Sequence, residues 1–326
     1  KLKTMTQQIY KAMNSNKFTY NSSIHTLRFY VLGDEENKKD SAVEVVNKEL
    51  FRADLPVPGG IYDKHMGSTD KNWICDTCGN PKGKCQGHFG NILVRYPLKS
   101  PMFREQMIKW LRITCHKCGK VVIKKNPKDL KVPKEKILAE FVKLTRTVTE
   151  CPWCKTVHPK VSKDKYQPSM IKKEYKRPNK KSVFEEMFNH EIKEVLEKIS
   201  DETVLSMGKQ LCSHPKKFII SCIRVPPNTI RPDIRRIGGN RSQSSDTTAI
   251  VKQIVEINSQ LPPMIPEPKL IDKDLREMLF NLDMAYYEMI KGSTTTNNQV
   301  RMVTTTNKAP NSIANHIPKK TGRIRK

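Results

Sequence analysis

Apolar residues recur at helical spacing in two stretches near the carboxyl end of the chain. The first stretch consists of Ile250, Val251, Ile254, Ile257 and Leu261. The second runs from Ile271 to Met289, with apolar side chains three or four positions apart. The residues between them read LPPMIPEPK, and their prolines cannot continue a helix. The pattern predicts an antiparallel helical hairpin, and two ordinary helices packed on a domain core are the alternative.

Weaker periodicities predict the remaining elements. The short ones are a strand at 26–32, a helix capped by Asp34, a helix at 102–111, a strand at 121–123 and a helical turn capped by Ser200 or Asp201. Residues 183–199 carry an apolar face that predicts one longer helix. Residues 159–181 contain nine Lys or Arg and only two acids, without a helical stripe, which predicts a basic, mobile loop.

The chain is strongly basic. Of its 326 residues, 60 are Lys or Arg and 33 are Asp or Glu, so the formal net charge is +27 at pH 7. An excess of this size favours a polyanionic partner such as nucleic acid over a merely solvated surface. No apolar run is long enough to span a membrane, and the first residues lack the apolar stretch of a signal peptide. Because the chain opens on Lys1 and stops within a motif, we expect it to be a piece of a longer protein.

Nine cysteines in a chain without a signal peptide indicate metal ligands or free thiols in preference to disulfides. Seven of them form, with one histidine, two sets at metal-site spacing: Cys75, Cys78, Cys85 and His88, then Cys115, Cys118, Cys151 and Cys154. A Cys-x2-Cys turn aims two thiolates at one ion, and zinc accepts such soft ligands in a tetrahedron. Since each set fills all four positions, the predicted ions are structural and not catalytic.

Three other candidate ligands are assigned differently. Cys212 and Cys222 have no partners at ligand spacing, and we interpret them as small apolar residues of the core. His116 lies between two cysteine ligands, and we interpret it as an exposed spacer. The two sets of four therefore account for all the metal binding that the sequence predicts.

Residues 223–246 read IRVPPNTIRPDIRRIGGNRSQSSD and cannot build a core. Prolines and a Gly-Gly pair interrupt regular structure, and the five arginines are expected to face outward. A surface linker and a loop that touches phosphate or RNA explain this composition equally well. Residues 292–326 contain no acid, and the seven Lys or Arg within 301–326 lie among polar residues, so we expect this tail to be mobile until bound.

The motifs occur in the order CDTCGNPKGKCQGHFG, CHKCG, CPWC, RVPPNTIRP, the helical hairpin and TGRIR. In this order they resemble the N-terminal clamp region of the largest subunit of multisubunit DNA-dependent RNA polymerases. The segments at 29–45, 59–70 and 196–208 resemble the same family, and the resemblance extends over 24–326. It implies an α+β fold: an irregular, multi-module clamp with two structural zinc sites and an antiparallel helical hairpin.

The resemblance also implies how the chain is divided. The expected parts are an N-terminal extension (1–23), the clamp core with the first zinc site (24–110), the second zinc module (111–158), a basic loop with the clamp-head helices (159–222), a lid-like loop (223–245), the clamp coiled-coil hairpin (246–291), and the rudder with the start of the switch segment (292–326). Within the last part, the rudder lies around 303–318 and the switch segment begins at Lys319.

By the same resemblance, the fragment closes on template DNA and the RNA–DNA hybrid, and it docks initiation and elongation factors at 246–291. The residues expected to contact nucleic acid are Arg231, Arg235, Arg236 and Arg241 in the lid-like loop and Lys319, Lys320, Arg323, Arg325 and Lys326 in the switch segment. The other expected partners are the second-largest and the smaller polymerase subunits. No membrane partner is expected.

The fragment would belong to a nucleotidyltransferase without being catalytic alone. The family's active site is a loop of three aspartates that holds Mg²⁺ for phosphoryl transfer, and no Asp-x-Asp-x-Asp pattern occurs in this sequence. The fragment's expected cofactors are therefore two structural Zn²⁺ ions, and Mg²⁺ is expected only in the complete enzyme, outside the fragment. The expected location is intracellular: the host cytoplasm or the virion for a viral protein, and the nucleus for a cellular eukaryotic one.

The sequence departs from the family pattern in a few places. The family often has three successive prolines where this chain has Pro226, Pro227 and Asn228, and it prefers Asp-Pro-Arg near 63–65. The paired Cys-x2-Cys spacing of the second set is nearer to the archaeal than to the animal pattern. This drift within a eukaryote-like order suggests a large DNA virus as the source.

Two other classes of protein are alternatives to this one. A free-standing zinc-ribbon protein, acting in transcription or repair, would explain the zinc sets and the charge but not the order of the motifs. Sequence beyond Lys326 separates the two, because a polymerase subunit must continue into the rest of the switch and then the aspartate loop. A zinc hydrolase needs an open coordination position and a general base, and neither is visible.

Overall fold

The computed structural model of the chain describes residues 30–53, 55–164, 170–175, 183–232, 234–235, 242–264, 273–292 and 312–316. The chain divides into two units, Lys1–Tyr30 and Val31–Lys326, and every element below belongs to the second. The extension at 1–23, residues 265–269 of the hairpin tip at 262–269 and the switch segment from Lys319 lie outside the described residues. Of the strand predicted at 26–32, only 30–32 are described, and they do not form a strand.

Within the described residues, short strands and helices follow one another. The strands are β1 (Phe51–Arg52), β2 (Leu55–Pro56), β3 (Gly90–Lys99), β4 (Lys160–Lys163), β5 (Ile171–Tyr175), β6 (Val183–Glu186), β7 (Ile219–Val225), β8 (Ile234–Arg235) and β9 (Ser242–Gln243). The helices are α1 (Asp34–Lys39), α2 (Arg104–Ile113), α3 (Ile137–Leu144), α4 (Asn189–Glu197), α5 (Asp201–Ser206), α6 (Asp246–Gln260), α7 (Lys273–Lys291) and α8 (Ile313–His316). This mixture of helices and small sheets confirms the predicted α+β class.

The described strands pair antiparallel: β1 with β2, β3 with β7, β4 with β5 and β6, and β8 with β9. In the longest pair the register breaks after Leu93, which lies opposite Cys222, and resumes at Leu98. Asn258 of α6 fills this interruption, because its side chain accepts from the Arg95 N–H and donates to the Leu93 carbonyl, each at 2.9 Å. A helix side chain thus satisfies backbone groups that the bulged strand leaves open.

The two predicted helices near the carboxyl end are α6 and α7, and they share one core with β3 and β7. The buried members of this core include Ile92, Leu98, Ile223, Val225, Ile250, Val251, Ile254, Leu275, Leu282, Ala285 and Met289. Both apolar stripes are therefore buried together with the strands, as the alternative of two core helices requires. Residues 265–272, between the two helices, are not described, and the antiparallel arrangement of α6 and α7 stays a prediction.

A second core contains α2 to α5 together with β4 and β5. The loop predicted at 159–181 is wrong, because Lys160–Lys163 and Ile171–Tyr175 are strands. Val161 and Ile171 are buried in this core, and lysines lie next to both of them along the strands. A short alternation of one apolar and one basic residue is enough for a half-buried strand. We predicted a loop because the segment is so highly charged.

The single helix predicted at 183–199 is a strand followed by a helix. Val183–Glu186 is β6, which pairs with β5, and α4 begins after a break. Glu191 fixes the start of α4, since its carboxylate accepts a hydrogen bond from the Phe188 backbone N–H at 3.2 Å. Phe184, which we expected on the buried face of a helix, is exposed on β6.

The shorter predictions have mixed outcomes. The helix at 102–111 is α2, and the turn after Ser200 is α5, whose cap is confirmed by the hydrogen bond from the Thr203 N–H to Ser200 Oγ at 3.3 Å. The helix after Asp34 is α1, although its cap is the preceding glycine. The strand predicted at 121–123 is wrong, because these described residues contribute only an isolated bridge to Thr114.

Candidate metal centres and the segment fastened to them

The first candidate centre lies in the loop between the 3-10 turn Lys64–Met66 and β3. Its ligand atoms belong to Cys75, Cys78, Cys85 and His88, and all of them lie within 4.8 Å of one another. The Cys78 and Cys85 sulfurs are 3.6 Å apart. A tetrahedral ion with Zn–S bonds of about 2.3 Å separates its sulfurs by about 3.8 Å. The spacing of this set therefore fits one ion bound by four ligands.

Backbone hydrogen bonds give the first loop its shape. The Gly79 N–H donates to the Cys75 carbonyl at 2.7 Å, which closes the turn that carries the first two cysteines. Gly79 has a φ of +68°, a conformation that glycine adopts without strain. The Gly87 N–H donates to the Cys85 sulfur at 3.4 Å. The backbone therefore directs the ligands and also supplies a donor to one sulfur.

The chemistry of the first set also fits a cation. Among the described residues, His88 Nε2 is buried and has no hydrogen-bond partner, as expected of a ring nitrogen that binds a metal ion. Burial raises the pKa of the Cys75 thiol to about 11. A bound cation offsets this effect, because it favours the thiolate that acts as the ligand.

The second candidate centre joins two turns that are far apart in the sequence. The sulfurs of Cys115, Cys118, Cys151 and Cys154 lie within 4.8 Å of one another. Cys115 is 3.5 Å from Cys154, and Cys118 is 3.7 Å from Cys151, measured between sulfurs. Four thiols at this spacing also fit a tetrahedral ion.

The two turns of the second centre have the same backbone design. The Gly119 N–H donates to the Cys115 carbonyl at 2.9 Å, and the Lys155 N–H donates to the Cys151 carbonyl at 3.0 Å. Gly119 and Lys155 both have positive φ, +71° and +56°. Only the first turn lacks room for a side chain, since a Cβ on Gly119 would lie 2.6 Å from the Lys198 carbonyl oxygen. The first turn is thus the one that packs against the end of α4.

The residues that we excluded as ligands lie outside both sets. His116 is half-buried, so the prediction of an exposed spacer is wrong. Its Nε2 lies 3.1 Å from the Leu111 carbonyl oxygen, and burial lowers its pKa to about 4. Cys222 is buried as predicted, whereas Cys212 is only half-buried.

Arg231 does not face outward, as we expected of the arginines in 223–246. It is 1% exposed, and its guanidinium donates to the carbonyl oxygens of Ile61 at 2.6 Å and Pro226 at 2.9 Å. It also donates to Asn228 Oδ1 at 3.1 Å. Burial lowers the Arg231 pKa to about 10, so the group is charged at pH 7. The outward orientation predicted for Arg231 is wrong, because this side chain is enclosed by backbone.

Asn228 fastens the same segment to the loop that precedes the first centre. Its side chain is fully buried, and Nδ2 lies 2.8 Å from the Asp63 carbonyl oxygen, 3.1 Å from that of Gly67 and 3.2 Å from that of Tyr62. No periodicity or residue spacing in the sequence predicts this contact. Its one signal was the departure from the family's third proline at position 228.

The segment 226–231 also packs directly on the first metal loop. The Thr229 hydroxyl donates to the Gln86 carbonyl at 3.3 Å. Gly87 has a φ of +91°, and a Cβ there would overlap Thr229 Oγ1 and lie 2.6 Å from Pro227 Cβ. The loop and the segment therefore meet with no room for a side chain at position 87.

Gly87→Ala should lower the free energy of unfolding by roughly 2–4 kcal/mol, because it adds backbone strain to a steric overlap. Gly83→Ala is the matched control. Gly83 has a φ of +86°, but among the described residues no atom comes within 4 Å of a Cβ placed there. Gly83→Ala should lower the free energy of unfolding only by the cost of backbone strain, about 1–2 kcal/mol. Thermal unfolding of the three proteins checks this, and equal shifts for both variants would contradict the close packing at Gly87.

The other residues predicted to contact nucleic acid have no described side chains. Arg235 lies on β8, opposite Ser242 of β9. The rest lie outside the described residues: Arg236, Arg241, Lys319, Lys320, Arg323, Arg325 and Lys326. Their contacts with nucleic acid stay a prediction.

Comparison with known proteins relates nearly the whole chain to transcription enzymes. A family model described as RNA polymerase Rpb1, domain 1, matches residues 21–326. A protein of African swine fever virus, named DNA-directed RNA polymerase RPB1 homolog, is 30% identical over 320 residues, which are 94% of this chain and 21% of that protein. The DNA-directed RNA polymerase subunit Rpo1N of Methanothermobacter thermautotrophicus is 30% identical over 272 residues, 78% of this chain and 30% of that protein.

The archaeal similarity is not confined to one species. The Rpo1N subunit of Thermococcus celer is 27% identical over 272 residues, again 78% of this chain and 30% of that protein. The chain spans about a fifth of the length of the viral relatives that it matches. In the part of the chain that the structure describes, no helix combines the length and the apolar character that crossing a membrane requires.

Proposed function

The chain belongs to the family of RNA polymerase Rpb1, domain 1, and from this membership we propose that it forms the clamp of the largest subunit of a DNA-directed RNA polymerase. The observation that carries the proposal is the family match over residues 21–326, a range that includes both metal sets and the helices α6 and α7. The clamp closes on template DNA and on the RNA–DNA hybrid, and it keeps the transcribing complex together.

Both centres hold zinc in this proposal. Cys75, Cys78, Cys85 and His88 bind one ion, and the four cysteines of the second set bind the other. When bound, zinc cross-links each loop through four protein ligands and takes no part in the reaction, since a closed tetrahedron has no position for water. The first ion fixes the loop on which segment 226–231 rests, through Asn228 and Thr229. That segment lies within the lid-like loop at 223–245.

Catalysis belongs to other parts of the complete enzyme. The chain contains no Asp-x-Asp-x-Asp loop for Mg²⁺, so its residues position nucleic acid and do not transfer nucleotides. Its partners in the complete enzyme are the second-largest and smaller subunits. Initiation and elongation factors dock on 246–291. Met264, exposed four residues beyond the end of α6, offers these factors an apolar contact. Met264→Glu should therefore weaken factor-dependent synthesis more than synthesis on a preformed bubble.

Nucleic-acid binding by the 326-residue chain should depend steeply on salt. Replacing Arg323, Arg325 and Lys326 by alanine should reduce the slope of log affinity against log salt by about 0.9 for each cation that contacts duplex phosphate. The measurement is a titration of labelled duplex DNA at several salt concentrations.

A matched control removes the same charge elsewhere. Lys131, Lys134 and Lys136 are exposed and lie outside both metal sets. Their triple alanine variant should keep the slope of the unchanged chain. If both triple variants flatten the slope equally, binding reflects net charge alone, and the switch segment does not grip DNA.

A further inference from the structure

The second metal centre displays a tryptophan at its surface. Trp153 lies between the ligands Cys151 and Cys154, and it is 50% exposed. Its indole N–H donates to the Val121 carbonyl at 2.9 Å, so the ring is fixed to the other turn of the same centre. The other two tryptophans of the chain are much less exposed, Trp73 by 9% and Trp110 by 2%. The ring is thus held in one orientation and faces solvent, although it is not part of a buried core.

Two cations lie against this ring. The Nζ atoms of Lys120 and Lys124 are each 5.2 Å from the centroid of the Trp153 ring, within cation–π range. Both lysines are exposed, and so are the neighbouring Lys117 and Lys155. Glu150, which precedes Cys151 in the sequence, is exposed as well. The surface around the ring is therefore strongly positive.

A rigid aromatic ring among mobile cations suits a single strand of nucleic acid. A base stacks on the ring with little sequence preference, and the lysines contact the phosphates on either side. Exposed lysine side chains can swing from the ring to a phosphate and leave the indole face to a base. A duplex offers no free base face, and an acidic peptide would use the lysines but not the ring.

We propose that Trp153, Lys120 and Lys124 form a binding site for a single strand of nucleic acid on the second metal module. The site is separate from the lid-like loop and the switch segment. It does not depend on the proposed clamp role, because it needs only the folded module.

The test measures binding of a labelled twelve-nucleotide oligouridine to the 326-residue chain by fluorescence anisotropy. Trp153→Ala should weaken binding about tenfold, the loss expected when one base no longer stacks. Trp153→Phe keeps an aromatic face and should bind within about threefold of the unchanged chain. Phe184→Ala is the matched control, since Phe184 is 63% exposed on β6, and it should change nothing. Oligothymidine should behave like oligouridine, because stacking needs no 2′-hydroxyl.

The lysines are tested through salt dependence. Lys120→Ala and Lys124→Ala should each reduce the slope of log affinity against log salt by about 0.7. Trp153→Phe and the exposed control Lys131→Ala should keep the slope. All variants should retain their metal content, which excludes loss of the module as the cause.

Three results would overturn the proposal. The first is oligouridine binding by Trp153→Ala that equals that of the Phe184→Ala control. The second is an equal loss of duplex affinity in Trp153→Ala, which would mean that the ring supports general charge attraction. The third is binding of polyglutamate that needs the lysines but not the ring, which would assign the surface to an acidic protein partner. None of these results bears on the salt test of the switch segment.

Discussion

Cys151→Ser should release one of the two proposed zinc ions and unfold the second metal module. The fully buried part of the small apolar cluster at this centre consists of Cys115, Val122 and Cys151, so two of its three members are ligands. Apolar burial of this extent cannot hold two distant turns together. Structural zinc contributes about 10–16 kcal/mol in small domains of this kind, and nearly all of that would be lost.

Elemental analysis and limited proteolysis measure the outcome. The unchanged chain should contain two zinc ions and Cys151→Ser one, with new cleavage in the second module, residues 111–158. Cys212→Ser is the matched control, because Cys212 is half-buried and lies outside both sets. It should keep both ions. Two ions in Cys151→Ser, or fewer than two in the unchanged chain, would contradict the assignment of the centres.

Arg231→Met should lower the free energy of unfolding by about 3–5 kcal/mol, because it leaves three buried acceptors without their donor. These acceptors are the carbonyl oxygens of Ile61 and Pro226 and the side-chain oxygen of Asn228. Nucleic-acid affinity per folded molecule should stay unchanged, since the guanidinium is enclosed. Urea unfolding and the salt titration of DNA binding measure the two effects separately.

An exposed arginine provides the control for this variant. The Arg52 side chain is 74% exposed and pairs with Glu49, so Arg52→Met should cost less than about 1 kcal/mol. A stable Arg231→Met chain with weakened DNA binding would restore the original expectation that Arg231 faces outward.

Local patterns in the sequence were sufficient to find the two clusters of candidate metal ligands. Cys75 and Cys78, like each later Cys-x2-Cys pair, lie in one tight turn, and the spacing itself carries the geometry of the site. The helices α6 and α7 were also predictable, because an apolar stripe at 3.6-residue spacing requires a partner surface. The apolar stripe does not identify that partner surface. In the structure the surface is formed by β3 and β7.

The burial of Arg231 depends on residues that are distant in the sequence. Its acceptor at Ile61 is a backbone carbonyl, which exists at every position and leaves no mark in the sequence. An arginine among prolines and glycines therefore looked exposed. The strands β4 and β5 were missed for a different reason: each has few residues, and its lysines outnumber the buried apolar positions that define it. Short strands are specified mainly by the neighbours with which they pair.

We propose that the chain is a clamp, which holds nucleic acid without performing the reaction. The most direct test uses the transcribing polymerase that contains the full-length protein and compares the unchanged enzyme with Cys85→Ser and with the control Cys212→Ser. Two quantities are measured on a halted complex: its half-life at high salt, and the rate at which intact complexes add the next nucleotide. We predict a several-fold shorter half-life for Cys85→Ser alone, with nucleotide addition unchanged in all three. A halted complex that lasts as long in Cys85→Ser but adds nucleotides slowly would contradict the claim.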